Sequence, residues 1–312
     1  MADSGVKRFL KFSCLGCLGV VFLLVATVAI FGWISGSNAE FTESGASYPA
    51  ERITRSAPLV ETDTTRSADL PEPLGTQANR VRLVLTGVQD VTVRPCAADE
   101  SLAVEATYDR KRVEFSERLD EEQDGTWSYT VEMTATGSSL GRLVQRIFSR
   151  RGTTLDVCLP ADVPIALQAE MKDAGFEAEL GGLWLPTIDV ELERAGGFVR
   201  FDAPLREPAE SVTIRANMGG MVLLEVGNAS PAVLDVNYRF GGLTLDMTGD
   251  WRQDSHIKLE GRAGGATVLV PRSVHVEGAP DFDPGIGAGS ETAPTLYFAP
   301  GTNFDDVTLR RR

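Results

Sequence analysis

Between Ile165 and Pro271 a strand that alternates apolar and polar residues, then runs into glycine, recurs five times. Its apolar members are Ile165, Leu167, Ala169 and Met171, then Ile188, Val190 and Leu192, then Val212, Ile214, Ala216 and Met218. Leu234, Val236, Tyr238 and Phe240 follow, and Ile257, Leu259, Gly261 and Ala263 close the series. The strands begin at 165, 188, 212, 234 and 257, a spacing of 22 to 24 residues. Alternation of period two gives each strand one buried and one wet face. The glycines that follow are Gly175, Gly196-Gly197, Gly219-Gly220, Gly241-Gly242 and Gly264-Gly265. A glycine at a fixed corner means a positive φ, or a neighbouring backbone too close for a Cβ.

Two constructions satisfy this pattern. In a β-solenoid each unit is one coil, and Val190, Ile214, Val236 and Leu259 stack into an apolar ladder at about 4.8 Å per step. In an antiparallel meander Gly-Gly is a hairpin turn that pairs Phe240 with Leu243. A meander needs a second layer over its apolar face, and the chain has almost no helical patterning to supply one. A solenoid covers itself. The expected fold is therefore all-β, a single-handed β-solenoid of 22–23-residue coils with Gly-Gly corners.

The Gly-Gly corners, the segment from Gly264 to Val274 (GGATVLVPRSV) and the related segment from Leu155 to Val163 (LDVCLPADV) carry a family resemblance. So do the upstream strands Val88–Val93 and Leu102–Ala106. Over about residues 80–275 the chain resembles the toast-rack β-solenoid domains of bacterial envelope proteins, the LiaF-like and putative-adhesin group. That resemblance implies a toast-rack-like domain behind a membrane segment, with a part in envelope organisation or stress response. It implies no particular chemistry.

The remaining chain divides by composition. Residues 1–11 form a basic stub with Lys7, Arg8 and Lys11, and residues 12–34 carry no charge, about 34 Å as a transmembrane helix. Trp33 lies at the far end, as an interfacial aromatic should. The basic residues before the span and Glu40 and Glu43 after it predict a cytoplasmic N-terminus and an exported body. With the resemblance, this means a single pass through the bacterial inner membrane and a periplasmic domain. The alternative is secretion after signal cleavage following Ala39. Cys14 and Cys17 read as small, soft residues of that helix, with acylation or helix–helix contact as the alternative.

Residues 35–79 are polar, acidic and broken by Pro49, Pro58, Pro71 and Pro73, a disordered tether that holds the domain on the order of 35–40 Å from the membrane. Residues 80–312 form the β-solenoid domain, with its regular repeats at 165–271. Residues 138–151 depart from β character, with Leu140, Leu143, Val144 and Ile147 at helical spacing. Arg142, Arg146 and Arg150 line another face of this short amphipathic helix. In a chain of net charge −14 they are the candidate contact for anionic lipid or an acidic partner, or the helix caps an open end of the coils. The acidic balance excludes nucleic acid as a partner. Cys96 and Cys158 are the cysteines of the exported part, and export permits a disulfide between them; two buried thiols are the other reading.

No cofactor or metal site is proposed: the chain has two histidines, His256 and His275, and no phosphate loop or nucleophile elbow. Gly241-Gly242-Leu243-Thr244-Leu245-Asp246 lacks the third glycine of a calcium-binding repeat and reads as a corner followed by a solvent-facing Asp. Outward positions include Asp189, Glu191, Asp235, Asp246, Lys258 and Glu260, and a polysaccharide lyase or hydrolase could use such carboxylates, with a basic residue, along one groove. Alternating strands place acids outward in any case. The expected role is a non-enzymatic binding, scaffold or envelope-sensing module with an envelope protein or glycan as partner. The alternatives are a polysaccharide-active enzyme and a self-assembling structural protein.

Overall fold

The alternating segments become strands, each sending its apolar parity into one shared interior. The computed structural model describes residues 78–97, 102–108, 110–121, 126–136, 153–279, 292–299 and 307–311. Segments 1–11, 12–34 and 35–77, and the Arg142, Arg146 and Arg150 segment, lie outside the described residues. No helix among the described residues is long and apolar enough to cross a membrane.

The first strands are β1 (Asn79–Thr86), β2 (Asp90–Pro95), β3 (Ala103–Thr107), β4 (Val113–Glu121), β5 (Trp127–Ala135) and β6 (Thr154–Leu159). The repeat region holds β7 (Ile165–Lys172), β8 (Gly175–Glu179), β9 (Thr187–Glu193), β10 (Gly196–Arg200), β11 (Ser211–Asn217) and β12 (Met221–Leu224). It continues through β13 (Val233–Arg239), β14 (Leu243–Asp246), β15 (Ser255–Arg262) and β16 (Ala266–Val270). The chain closes with β17 (His275–Glu277), β18 (Thr295–Phe298) and β19 (Val307–Arg311).

They form two sheets. Sheet I runs β17-β18-β15-β13-β11-β9-β7-β1-β5-β4, and sheet II runs β19-β16-β14-β12-β10-β8-β2-β6-β3. From β7 to β16 the chain alternates between them, one strand in each, and every neighbour pair is parallel. The molecule is thus essentially all-β with parallel sheets, an arrangement compatible with a β-solenoid-like fold. Leu243 pairs with Met221 and Ala266, so the hairpin reading that joins it to Phe240 falls. Val190, Ile214, Val236 and Leu259 are aligned in consecutive registers and at most 1% exposed. The first step differs from expectation: Leu167, not Ile165, aligns with Ile188, so it is 21 residues long. Ile165 instead donates its amide to the carbonyl of Trp184.

The N-terminal strands join this stack out of order. β1 lies between β5 and β7, parallel to both, and β2 lies between β6 and β8. Asn79, 7% exposed, ties both sides: its Nδ2 donates to the Pro164 carbonyl and its Oδ1 accepts from the Trp127 amide. β3 and β4 run antiparallel to β6 and β5 and close that end of the sheets among the described residues.

At one edge the chain crosses from sheet II to sheet I through longer loops, and these are stapled by side chains. Asn228 donates to the Phe201 carbonyl at 2.7 Å and accepts from the Asp250 amide at 2.9 Å, bridging three coils. Ser230 Oγ accepts from the Arg252 amide, and Trp251 Nε1 donates to the Met247 carbonyl. The guanidinium of Arg206 lies over Trp184. The opposite edge, where sheet I passes to sheet II, is the tight glycine corner.

Candidate functional site

Three surfaces of the stack are distinct in chemistry. The outer face of sheet I is a lattice of charges in adjacent strands. Arg82 pairs with Glu170 and Arg215 with Asp189, each at 2.8 Å. Lys172 pairs with Glu193 at 2.9 Å, and Lys258 lies 3.0 Å from Glu260 and 3.9 Å from Asp235. Asn237 adds a hydrogen bond to Glu260. The hydrogen bond from Lys172 holds the Glu193 carboxyl below its ordinary value, and Lys258 does the same for Glu260. Of the acids named as catalytic candidates, Asp189, Asp235 and Glu260 are thus each paired with a basic side chain.

Asp246 departs from its expected wet position. It belongs to sheet II, is 5% exposed, and accepts a hydrogen bond from the Thr248 amide at the start of the following loop. It does not share a face with Asp189, Glu191, Asp235, Lys258 or Glu260. His256 is exposed and stacked on Tyr297 at 5.3 Å. No group of three His, Cys, Asp or Glu side chains that could hold a metal occurs among the described residues.

The outer face of sheet II is weakly polar. Phe198, Val222, Thr244 and Thr267 lie in one register across β10, β12, β14 and β16, all partly exposed. Leu224 and Leu269 lie outward in the same strands. Cys96 and Cys158 are joined by a disulfide, with Cα atoms 4.7 Å apart.

The third surface is the tight corner, where the sequence pattern gives the wrong orientation. Continued alternation puts Met218, Phe240 and Ala263 on the buried face. The strands end one residue earlier, and each of these residues takes a left-handed conformation, φ 60°, 52° and 52°. Asp173 and Arg194 occupy the same place in the preceding coils with φ 53° and 52°. The positive φ thus falls on the residue before the small pair, not on the glycines. The rotation throws the side chain outward: Met218 is 54% exposed and Phe240 64%. Four of these corner amides then donate to the adjacent strand, Asp173 to Glu193, Arg194 to Asn217, Met218 to Arg239 and Phe240 to Arg262.

The glycines after it answer to crowding. A Cβ on Gly219 would meet the Ala195 carbonyl oxygen at 1.8 Å, and one on Gly241 would meet that of Gly219 at 1.7 Å. A Cβ on Gly242 or Gly265 would meet nothing within 4 Å. Along this edge Asp173 and Arg194 form an ion pair at 2.9 Å. Further on, Arg239 and Arg262 are exposed and directly in register, beside Phe240 and Ala263. The described ends of the segment that carries Arg142, Arg146 and Arg150 belong to the same edge. Thr136 follows β5, and the Thr153 carbonyl accepts from the amides of Gln89 and Asp90 at the β1–β2 corner.

No family model matches the chain, and no curated protein matches it. A solved structure described as a putative cell adhesion protein from Clostridium sporogenes is similar over 78% of this chain and 97% of its own. The identity is 12% and the TM-score 0.33, which carries no argument for fold or function.

Proposed function

We propose that this protein is a membrane-anchored, extracytoplasmic β-solenoid of the toast-rack kind, single-handed and built of 22–23-residue coils. It serves as a non-enzymatic binding, scaffold or envelope-sensing module of a bacterial envelope. The observation that carries this reading is the run of parallel neighbours from β5 to β17 on one face and from β6 to β19 on the other, among the described strands. At about 4.8 Å per strand such a stack is a stiff strut with long, nearly flat sides, suited to holding side-chain rows against a protein or glycan. Salt bridges engage Glu170, Asp189, Glu193, Asp235 and Glu260 on one side, which favours adhesion over acid–base chemistry by these groups. A disulfide between Cys96 and Cys158 suits an oxidising compartment.

The test is crosslinking from native membranes. A photoreactive side chain is placed in the full chain at Gln168 or Thr213 on sheet I, and at Val222 or Thr267 on sheet II. A binding or scaffold module gives a discrete adduct that recurs from positions sharing one face. Adducts with a second copy of the chain would favour a self-assembling structural protein. Absence of any face-specific adduct would overturn the reading.

A further inference from the structure

We infer that the corner edge formed by Met218, Phe240 and Ala263, with Arg239 and Arg262 beside it, docks on an anionic lipid surface. The inference rests on the anchored reading above and adds which part of the domain faces the bilayer. Met218 and Phe240 are the most exposed large apolar side chains among the described residues. Both project from left-handed positions whose backbone cost a glycine would avoid. Glycines follow both in sequence, and among the described residues both side chains stay exposed. Arg239 and Arg262 stand directly opposite each other in adjacent strands, an arrangement that like charges disfavour unless an anion lies over them. Neither forms an ion pair within 4.0 Å among the described residues, and the Glu260 carboxylate that feels the charge of Arg262 is already held by Lys258, in a chain of net charge −14 whose other sheet I charges are mostly paired.

Apolar tips flanked by guanidinium groups match the boundary between headgroup and acyl chain. The chain outside the described residues supplies proximity. The 45-residue polar stretch before Arg80 follows an uncharged span, so an anchored domain stays within tens of ångströms of a bilayer. An acidic peptide would satisfy the arginines but not the protruding Phe240, and a second copy would bring its own like charges.

The experiment uses the full chain carrying Phe240→Trp, reconstituted in phosphatidylcholine bilayers with or without phosphatidylglycerol, with brominated lipids as quenchers and the unsubstituted chain as background. The added indole is expected to be quenched at shallow depth when phosphatidylglycerol is present. Adding R239Q/R262Q should lower the docked-to-free ratio about thirty-fold, at about 1 kcal/mol per basic residue near an anionic surface. An unquenched indole, or quenching that is equal without phosphatidylglycerol and unmoved by R239Q/R262Q, overturns the inference. So does concentration-dependent self-association that Phe240→Asp abolishes. Alkaline carbonate washing of the same membranes tests the anchor separately. If the chain is released, the anchored reading fails, and flotation of the released chain on phosphatidylglycerol vesicles still decides the docking edge.

Discussion

Phe240, Gly241 and Gly242 are consecutive, yet the corner asks opposite things of them. Phe240 bears a left-handed φ that glycine adopts freely, so Phe240→Gly should raise stability by up to about 1 kcal/mol in urea unfolding while weakening any lipid contact. Gly241→Ala forces a Cβ into the carbonyl of Gly219 and should cost about 2–3 kcal/mol. Gly242→Ala has open space and no positive φ, so it should leave stability within about 0.5 kcal/mol or raise it slightly. The sequence marks the corner through its glycines. It cannot mark the strained residue, because Asp, Arg, Met, Phe and Ala share no local preference for φ near 55°, which the inter-coil amide bonds impose. For the same reason the exposed Met218 and Phe240 read as core: period-two parity runs straight through the end of the strand. The charges of sheet I make a separate prediction. Glu193 and Glu260 sit below the ordinary carboxylate value of 4.5. Their contribution is full above that value and lost as pH falls through the lower folded values. The stability difference between wild type and Glu193→Gln should therefore shrink as unfolding is measured at pH values progressively below 4.5.

At the scale of the strand, the alternation predicted which segments pair but not every register. A slip of two residues leaves each side chain on its own face, so spacings of 23 and 21 are equivalent to the pattern. The choice fell to the loop edge, where Trp184 takes the amide of Ile165 and leaves Leu167 opposite Ile188. The candidate Asp246 was misplaced for a related reason: its parity is outward, but the loop after β14 folds over it. Loops of this kind depend on buried polar staples. Asn228→Ala leaves the Phe201 carbonyl and the Asp250 amide without their partner, and should lower stability by about 1–3 kcal/mol by denaturant midpoint.

For the whole molecule, strand content was legible over most of the described residues, but strand order was not. Residues 80–86 alternate as any other coil does, and nothing local says that β1 and β2 belong between β5–β6 and β7–β8. Two features secure this out-of-sequence coil: the bridge made by Asn79, and the disulfide from Cys96, one residue past β2, to Cys158 of β6. Replacing both cysteines by serine should therefore lower stability by about 2–4 kcal/mol, read as a shift in unfolding midpoint against the oxidised chain. The same placement sets a timetable for synthesis. β1 is the first described strand to leave the ribosome, yet one of its two parallel neighbours begins at Ile165, more than eighty residues later. Until that segment emerges, Val81, Leu83 and Leu85 have half their seat at most. A nascent chain paused before residue 165 should hold its opening strands only half covered, in a state open to chaperones and proteases.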